Sequence, residues 1–272
     1  MMIMDNKEKI LSKERVKELG LDKLEVITSD MLEGYTIIGY DAFRNCSSIR
    51  SITLPKSITI IPNGAFYGCT SLPIENYLRY ADTYLAEVVD KSLSAYIIKN
   101  GTKWIKDWTF YKCSNLKTII IPNSVISIGR GAFYDCFSIT SITIPKSIKS
   151  IDEWAFCSCD KLRSVRIGNK TYEMQTIENG KCKAYKAFKA DLTCIGFQYE
   201  EGKTYEYEGE PILREQGFHA CLNLTDVFNY YFGEFGKDIV VHEVELEGIS
   251  DERSESYSMV AAKKITIGKR IL

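Results

Sequence analysis

Five Phe–Cys pairs, each spaced by three residues, recur along the first two thirds of the chain. They are Phe43/Cys46, Phe66/Cys69, Phe110/Cys113, Phe133/Cys136 and Phe156/Cys159. Neighbouring pairs lie 23 residues apart, except for one gap of 44. A period in the twenties marks a solenoid, because one such unit cannot bury its own apolar face and must stack on its neighbours. Within a unit, Ile/Leu alternate with Ser/Thr, as in Ile49, Ile52 and Leu54, or Ile139, Ile142 and Ile144. The spacing of two predicts a short strand in each unit. Pro55, Pro122 and Pro145 end that strand at one repeat position, since proline has no N–H to extend a ladder. A second apolar pair follows in each unit, as in Ile58/Ile61, Val125/Ile128 and Ile148/Ile151. The expected core is a spine of Phe on Phe and Cys on Cys, with the strands parallel along one face.

The 44-residue gap holds one worn unit. Glu87 and Asp90 stand where Phe and Cys belong, yet Leu93, Tyr96 and Ile98 keep the strand pattern. Just before it, IENYLRYADTYLAEVVD reads as a short helix or loop. Tyr77, Tyr80 and Tyr84 fall at spacings of three and four, which predicts one helical face. An exposed tyrosine cluster suits an interface, so these three are the candidate binding residues. Trp104, Trp108 and Trp154 lie near the turn corners and are open to the same two readings, packing or partner binding.

Composition limits the function classes. The 272 residues carry a formal net charge of -1. Residues 1–181 hold 24 Lys/Arg against 20 Asp/Glu, a balance of +4, and residues 182–272 hold 11 against 16, a balance of -5. Neither is the footprint of a nucleic-acid binder. No stretch nears 18 consecutive apolar residues, so no membrane span is expected. The charged start lacks the apolar run of a secretory signal, which favours a cytoplasmic location; a trimmed chain leaves a surface location open. Five of the nine Cys occupy one repeat position, a packing pattern for reduced thiols. Cys at one place in successive units form a line, whereas structural zinc needs a tetrahedral cluster, so no metal is expected.

The unit AF-x-x-C-x-S-I/L-x-x-I-x-I/L-P-x-S-I/V-x-x-I resembles the BspA-like class of leucine-rich repeats over residues 24–170. That resemblance implies an α/β leucine-rich-repeat solenoid whose class role is recognition or adhesion, with a protein or glycan partner. Residues 1–23 are expected to form a helical cap and 171–181 a linker. A different text fills 182–272. KAYKAF opens a strand, and Asn223 caps a helix carrying Val227, Phe228 and Tyr231. DIVVHEVELEG and AAKKITIGKRIL supply strands, giving a small α+β domain. KAFKADLTCIGFQYEEGKTYE, GFHACLNLTDVFNYY and AAKKITIG resemble an uncharacterised domain of phage-associated and other bacterial proteins, which implies a module attached to varied recognition devices.

His219, in GFHAC beside Cys221, invites a catalytic reading, although a structural His at the strand–helix junction fits the same text. The sequence of a basic-aromatic strand, Gly-Phe-His, a helix with a late Tyr and a strand bearing Glu resembles ADP-ribosyltransferases. The alternative site would be Lys186, His219, Tyr231 and Glu243 or Glu245, acting on a nicotinamide-bearing cofactor. The block departs from that family in its length of about 90 residues and in having Lys183 or Lys186 where many members open with Arg. No GxGxxG, GxxxxGK[ST] or HExxH motif occurs. The favoured reading is a non-enzymatic recognition scaffold with no cofactor.

Overall fold

The computed structural model describes residues 9–62, 64–230, 239–252, 254 and 258–272. All five spine Phe are buried. Their rings stack nearly parallel, Phe43 on Phe66 at 5.3 Å, Phe110 on Phe133 at 5.0 Å and Phe133 on Phe156 at 5.4 Å. The cysteines do more than fill space. The Sγ of Cys69, Cys136 and Cys159 donates to the carbonyl of Phe43, Phe110 and Phe133, at 3.0, 3.2 and 3.1 Å. Each thiol thus adds a second donor to a buried carbonyl of the preceding turn, which already accepts the Cys N–H of its own turn.

Two parallel ladders run along the rod. One is built by the strands before each proline, with Ala95–Ile97 beside Thr118–Ile120 and Ser141–Ile144 beside Ser164–Ile167. The other is built by the second apolar pair, with Trp104–Ile105, Ser127–Ile128 and Ser150–Ile151 in register. Both advance by the 23-residue repeat. Between them the proline carbonyl accepts from the residue three on, as in Ile58 N to Pro55 O and Val125 N to Pro122 O, both 3.1 Å. Proline therefore ends one strand and opens the turn to the next.

The interruption is not helical. Ile74–Glu75, Leu78–Ala81 and Tyr84–Val88 form an antiparallel meander, and its last strand pairs in parallel with Trp104–Ile105. Asn76 and Tyr77 take left-handed φ of 52° and 64°, the signature of a two-residue hairpin turn. Asp82 turns the chain again, and its carboxylate accepts from Leu54 N at 3.0 Å, capping a strand end. The expected helical tyrosine face is therefore corrected: the spacings of three and four straddle two turns. Tyr84 lies 5.6 Å from the Phe66 ring and continues the aromatic spine, while Tyr96 meets Phe110 edge-on at 5.3 Å. The apolar core divides here. One cluster runs from Leu11 to Ala86 with Trp104, the other from Leu78 to Ile267.

At the start, Lys13–Glu18 forms a helix of one and a half turns, capped by Ser12 Oγ accepting from Arg15 N. Ile10–Leu11 adds a strand beside Ile37–Ile38. At the other end the chain leaves the solenoid through a hairpin. Lys170–Glu173 folds back antiparallel on Ser164–Ile167, so the solenoid sheet runs into the 171–181 segment. Beyond it the small α+β domain forms a sheet of Lys181–Lys189, Phe218–Cys221, Met259–Arg270, Ile239–Ile249 and Thr204–Glu206. Pairing of Ile239–Ile249 with Met259–Arg270 closes four of these strands into a ring. The helix Leu224–Tyr230 starts at Asn223, whose Oδ1 accepts from Thr225 N at 3.3 Å. Asn223 Nδ2 also donates to Leu162 O at 2.7 Å, and Phe228 lies 6.4 Å from Phe156. The terminal domain therefore shares a core with the last turn, because that turn's apolar face has no further repeat to cover it.

Candidate recognition surface

The strands before each proline point alternate side chains inward and outward. Inward go Ile52, Tyr96, Ile119, Ile142 and Val165, all buried. The next residue in each turn faces solvent: Thr53, Ile97, Ile120, Thr143 and Arg166. Ile97 and Ile120 are direct neighbours across the ladder and are 53% and 55% exposed. Two β-branched apolar side chains thus stand side by side on a face whose other outward residues are Thr53, Thr143 and Arg166. The signal was present in the sequence, since Thr in neighbouring units becomes Ile in these two, but attention to the inward pattern passes over it.

On the other ladder, a cleft of about 540 Å³ opens where the meander meets the regular turns. Tyr40, Ile60, Trp104, Lys106, Asp107 and Asp152 contribute to its walls. Burial lowers the Lys106 ammonium's pKa, while Glu87 and Asp107 oppose that shift. Burial pushes the Tyr84 hydroxyl far above its ordinary value, and the Asp107 charge adds to this.

The three tyrosines are separated by this geometry. Tyr80 and Tyr84 are 2% and 1% exposed and belong to the packing. The Tyr80 hydroxyl accepts from Lys99 N at 3.0 Å, and burial raises its pKa to about 12. Tyr77, at the hairpin tip, is 56% exposed. Trp104 is buried in its strand, whereas Trp108 and Trp154 sit half-buried at the corners.

In the terminal domain the alternative site residues keep different company. His219 Nε2 lies 2.9 Å from Arg214 N and 3.1 Å from Ile212 O, gathering the turn before its strand. Desolvation holds its pKa below the usual value. Glu243 is ion-paired with Lys170 at 2.7 Å, a tie between the domain and the end of the solenoid. Glu243 and Glu245 line a small cleft of about 220 Å³ with Lys183, Thr266, Gly268 and Lys269, and His219 is not among its walls. That volume is below the range of roughly 300–1,000 Å³ that small-molecule sites occupy. Lys186 is fully buried, donates to His219 O at 2.8 Å, and is held below its ordinary pKa by desolvation. Tyr231 lies outside the described residues. Among the described residues, no group of three or more His, Cys, Asp or Glu is placed to hold a metal ion. No described helix is long and apolar enough to cross a membrane.

Comparison with known proteins matches residues 22–84 and 89–193 to the BspA type leucine rich repeat region, in six copies. Residues 182–272 match a domain of unknown function (DUF7666). No curated protein matches the chain. Among solved structures, a T. pallidum leucine-rich repeat protein is 28% identical over 53% of this chain and 58% of that one, with a TM-score of 0.28. One from Eubacterium ventriosum is 29% identical over 49% of this chain and 40% of that one, with a TM-score of 0.34. One from Bacteroides ovatus is 23% identical over 48% and 41%, with a TM-score of 0.29. The chain covers less than two thirds of each of these structures. With the repeat match extending over more than half its length, the chain belongs to the BspA-type leucine-rich repeat family.

Proposed function

We propose that the chain is a recognition scaffold that binds a protein partner on the strand face around Ile97 and Ile120. The exposed apolar pair on a regular, rigid ladder supports this reading. Exposed apolar side chains that adjoin one another, rimmed by polar groups, mark interaction sites more than isolated ones do. The ladder fixes their spacing, so a partner meets a surface that needs little reordering on binding. Tyr77 offers a second exposed contact at the hairpin tip. The terminal domain covers the end of the rod in the same folded body.

The test is the double variant Ile97→Lys/Ile120→Lys in the full chain. Both side chains face solvent, so the melting temperature should stay close to that of the parent. Chemical crosslinking in extracts of the source cells, read by mass spectrometry, should show a protein joined near residues 95–120 in the parent and absent from the variant. An unchanged set of crosslinked proteins would refute the assignment.

A further inference from the structure

A second surface lies at the corner of the rod, away from the strand face, and rests on different observations. The residue two before each spine Phe takes a left-handed conformation in every regular turn. It is Asp41, Gly64, Trp108, Gly131 and Trp154, with φ of 55°, 83°, 59°, 56° and 59°. Asp and Gly tolerate that region; a bulky aromatic there is strained. Two tryptophans are nevertheless held there, on either side of a glycine. The Trp108 indole lies across Gly131, so that a Cβ on Gly131 would come within 2.4 Å of the ring. The Trp108 and Trp154 rings are 6.4 Å apart, and Tyr111 and Tyr134 lie 5.5 and 5.6 Å from Trp108. All four rings remain partly open to solvent.

Cations frame this cluster. Arg130 sits 4.2 Å from the Trp154 ring centroid while pairing with Glu153. Lys112 and Lys91 lie 5.2 and 5.6 Å from the Tyr111 ring. Neither lysine has a carboxylate at ion-pair distance among the described residues. The backbone here is already committed to the next turn, with Trp108 N on Arg130 O, Gly131 N on Glu153 O and Lys112 N on Tyr134 O. A peptide therefore cannot add main-chain pairing, and recognition falls to side chains alone.

We propose that this corner binds an acidic oligosaccharide. The indole and phenol faces would stack on the C–H faces of pyranose rings, and Lys91 and Lys112 would meet a sugar carboxylate. A single-stranded nucleic acid also stacks on aromatic rings. It would need several cations for its phosphates, whereas Glu153 and Asp135 share this corner and the chain's net charge is -1.

The repeat provides its own controls, because Gly64 and Gly131 already occupy the position of the two tryptophans. Trp108→Gly and Trp154→Gly should keep the far-ultraviolet spectrum of the full chain. Isothermal titration would use tetragalacturonate and 3′-sialyllactose, with maltotetraose as the neutral probe and oligothymidylate as the nucleic-acid probe. The expected result is saturable binding of at least one acidic sugar. Each Trp→Gly change should weaken it by roughly tenfold, the loss of one stacked ring. Lys112→Gln should weaken acidic-sugar binding and leave the maltotetraose signal unchanged. Ile97→Lys/Ile120→Lys should leave sugar binding intact, which separates this surface from the strand face. Failure of both acidic sugars to bind, equal binding of maltotetraose, tighter binding of oligothymidylate, or binding untouched by Trp108→Gly would each overturn the proposal.

Discussion

Phe133→Ala perturbs the rod at its best-packed point. The ring is buried and sandwiched between Phe110 at 5.0 Å and Phe156 at 5.4 Å, with interplanar angles of 5° and 1°. Removing a buried Phe costs about 3–5 kcal/mol, transfer and cavity together. Each aromatic pair adds about 0.5–1.5 kcal/mol beyond area. Phe43, at the end of the spine, has one stacked partner, Phe66. Phe133→Ala should therefore destabilise by roughly 1 kcal/mol more than Phe43→Ala, one ring pair's worth. The division of the core predicts where the damage goes. Hydrogen exchange read by mass spectrometry should show Phe43→Ala deprotecting residues 10–62 while 110–167 stay protected. Phe133→Ala should do the reverse, since each solenoid turn leans on its neighbours. Uniform deprotection of the chain by either variant would refute the reading of two cores joined at a worn turn.

Three further outcomes follow from titratable groups. Of the nine cysteines, only Cys157 and Cys182 are partly accessible, so a disulfide reagent should label at most these two quickly in the native chain. Burial pushes the Cys69 thiol up to about 12, and a rapid third label would count against the packing. His219 has a folded pKa below its ordinary 6.5, so its contribution to stability is full above that value and is lost as pH falls through the folded pKa. The melting temperature should drop from about pH 7 to about pH 5, and His219→Asn should flatten that drop. Asp226 has a folded pKa raised above 3.8, chiefly by burial. Its contribution is full below 3.8 and lost as pH rises through the folded value. Asp226→Asn keeps an oxygen to accept from Ser258 N and should stabilise the chain at neutral pH, with the gain vanishing in acid; a gain independent of pH would contradict the assignment.

The regular turns were legible because their information is periodic. Phe, Cys and Pro recur in phase, and each has one physical role that stacking repeats. The worn turn was only half legible. Tyr96 and Ile98 keep phase and were placed correctly, but Tyr84 joins the spine from outside the period. Its spacing from Tyr80 and Tyr77 suits a helix as well as two hairpin turns, and only Asn76 and Asp82, as turn formers, favoured the hairpins. The exposed pair Ile97/Ile120 was written in the sequence as a departure from Thr at an outward position. Trp108 and Trp154 were legible as corner residues, but their gathering with Tyr111 and Tyr134 was not, because the lean of Trp108 over Gly131 depends on a backbone conformation that spacing does not encode. In the terminal domain the strands and the Asn223 cap followed from local patterns. The contacts of His219 with Ile212 and Arg214, and of Glu243 with Lys170, did not, since they arise from the tertiary fold.

The docking of the terminal domain leads to a last prediction. A solenoid with no capping element exposes the whole core of its final turn. Here that core includes Phe156, Leu162, Val165 and Ile167, and Phe228 and Asn223 reach it from the terminal domain. Gln175 N to Leu222 O at 2.8 Å and Tyr185 Oη to Glu173 O at 2.9 Å fasten the same junction. A chain ending at residue 181 should therefore expose an apolar surface of the kind that drives association. It should sediment as oligomers or precipitate where the full chain does not, and bind a hydrophobic dye. Phe228→Ala in the full chain gives a milder form of the same lesion, costing about 3–5 kcal/mol if the ring is as tightly held as its burial indicates. A truncated chain that stays monomeric, with the melting temperature of the parent, would mean that the solenoid closes its own end and that the terminal domain rests on it without supporting it.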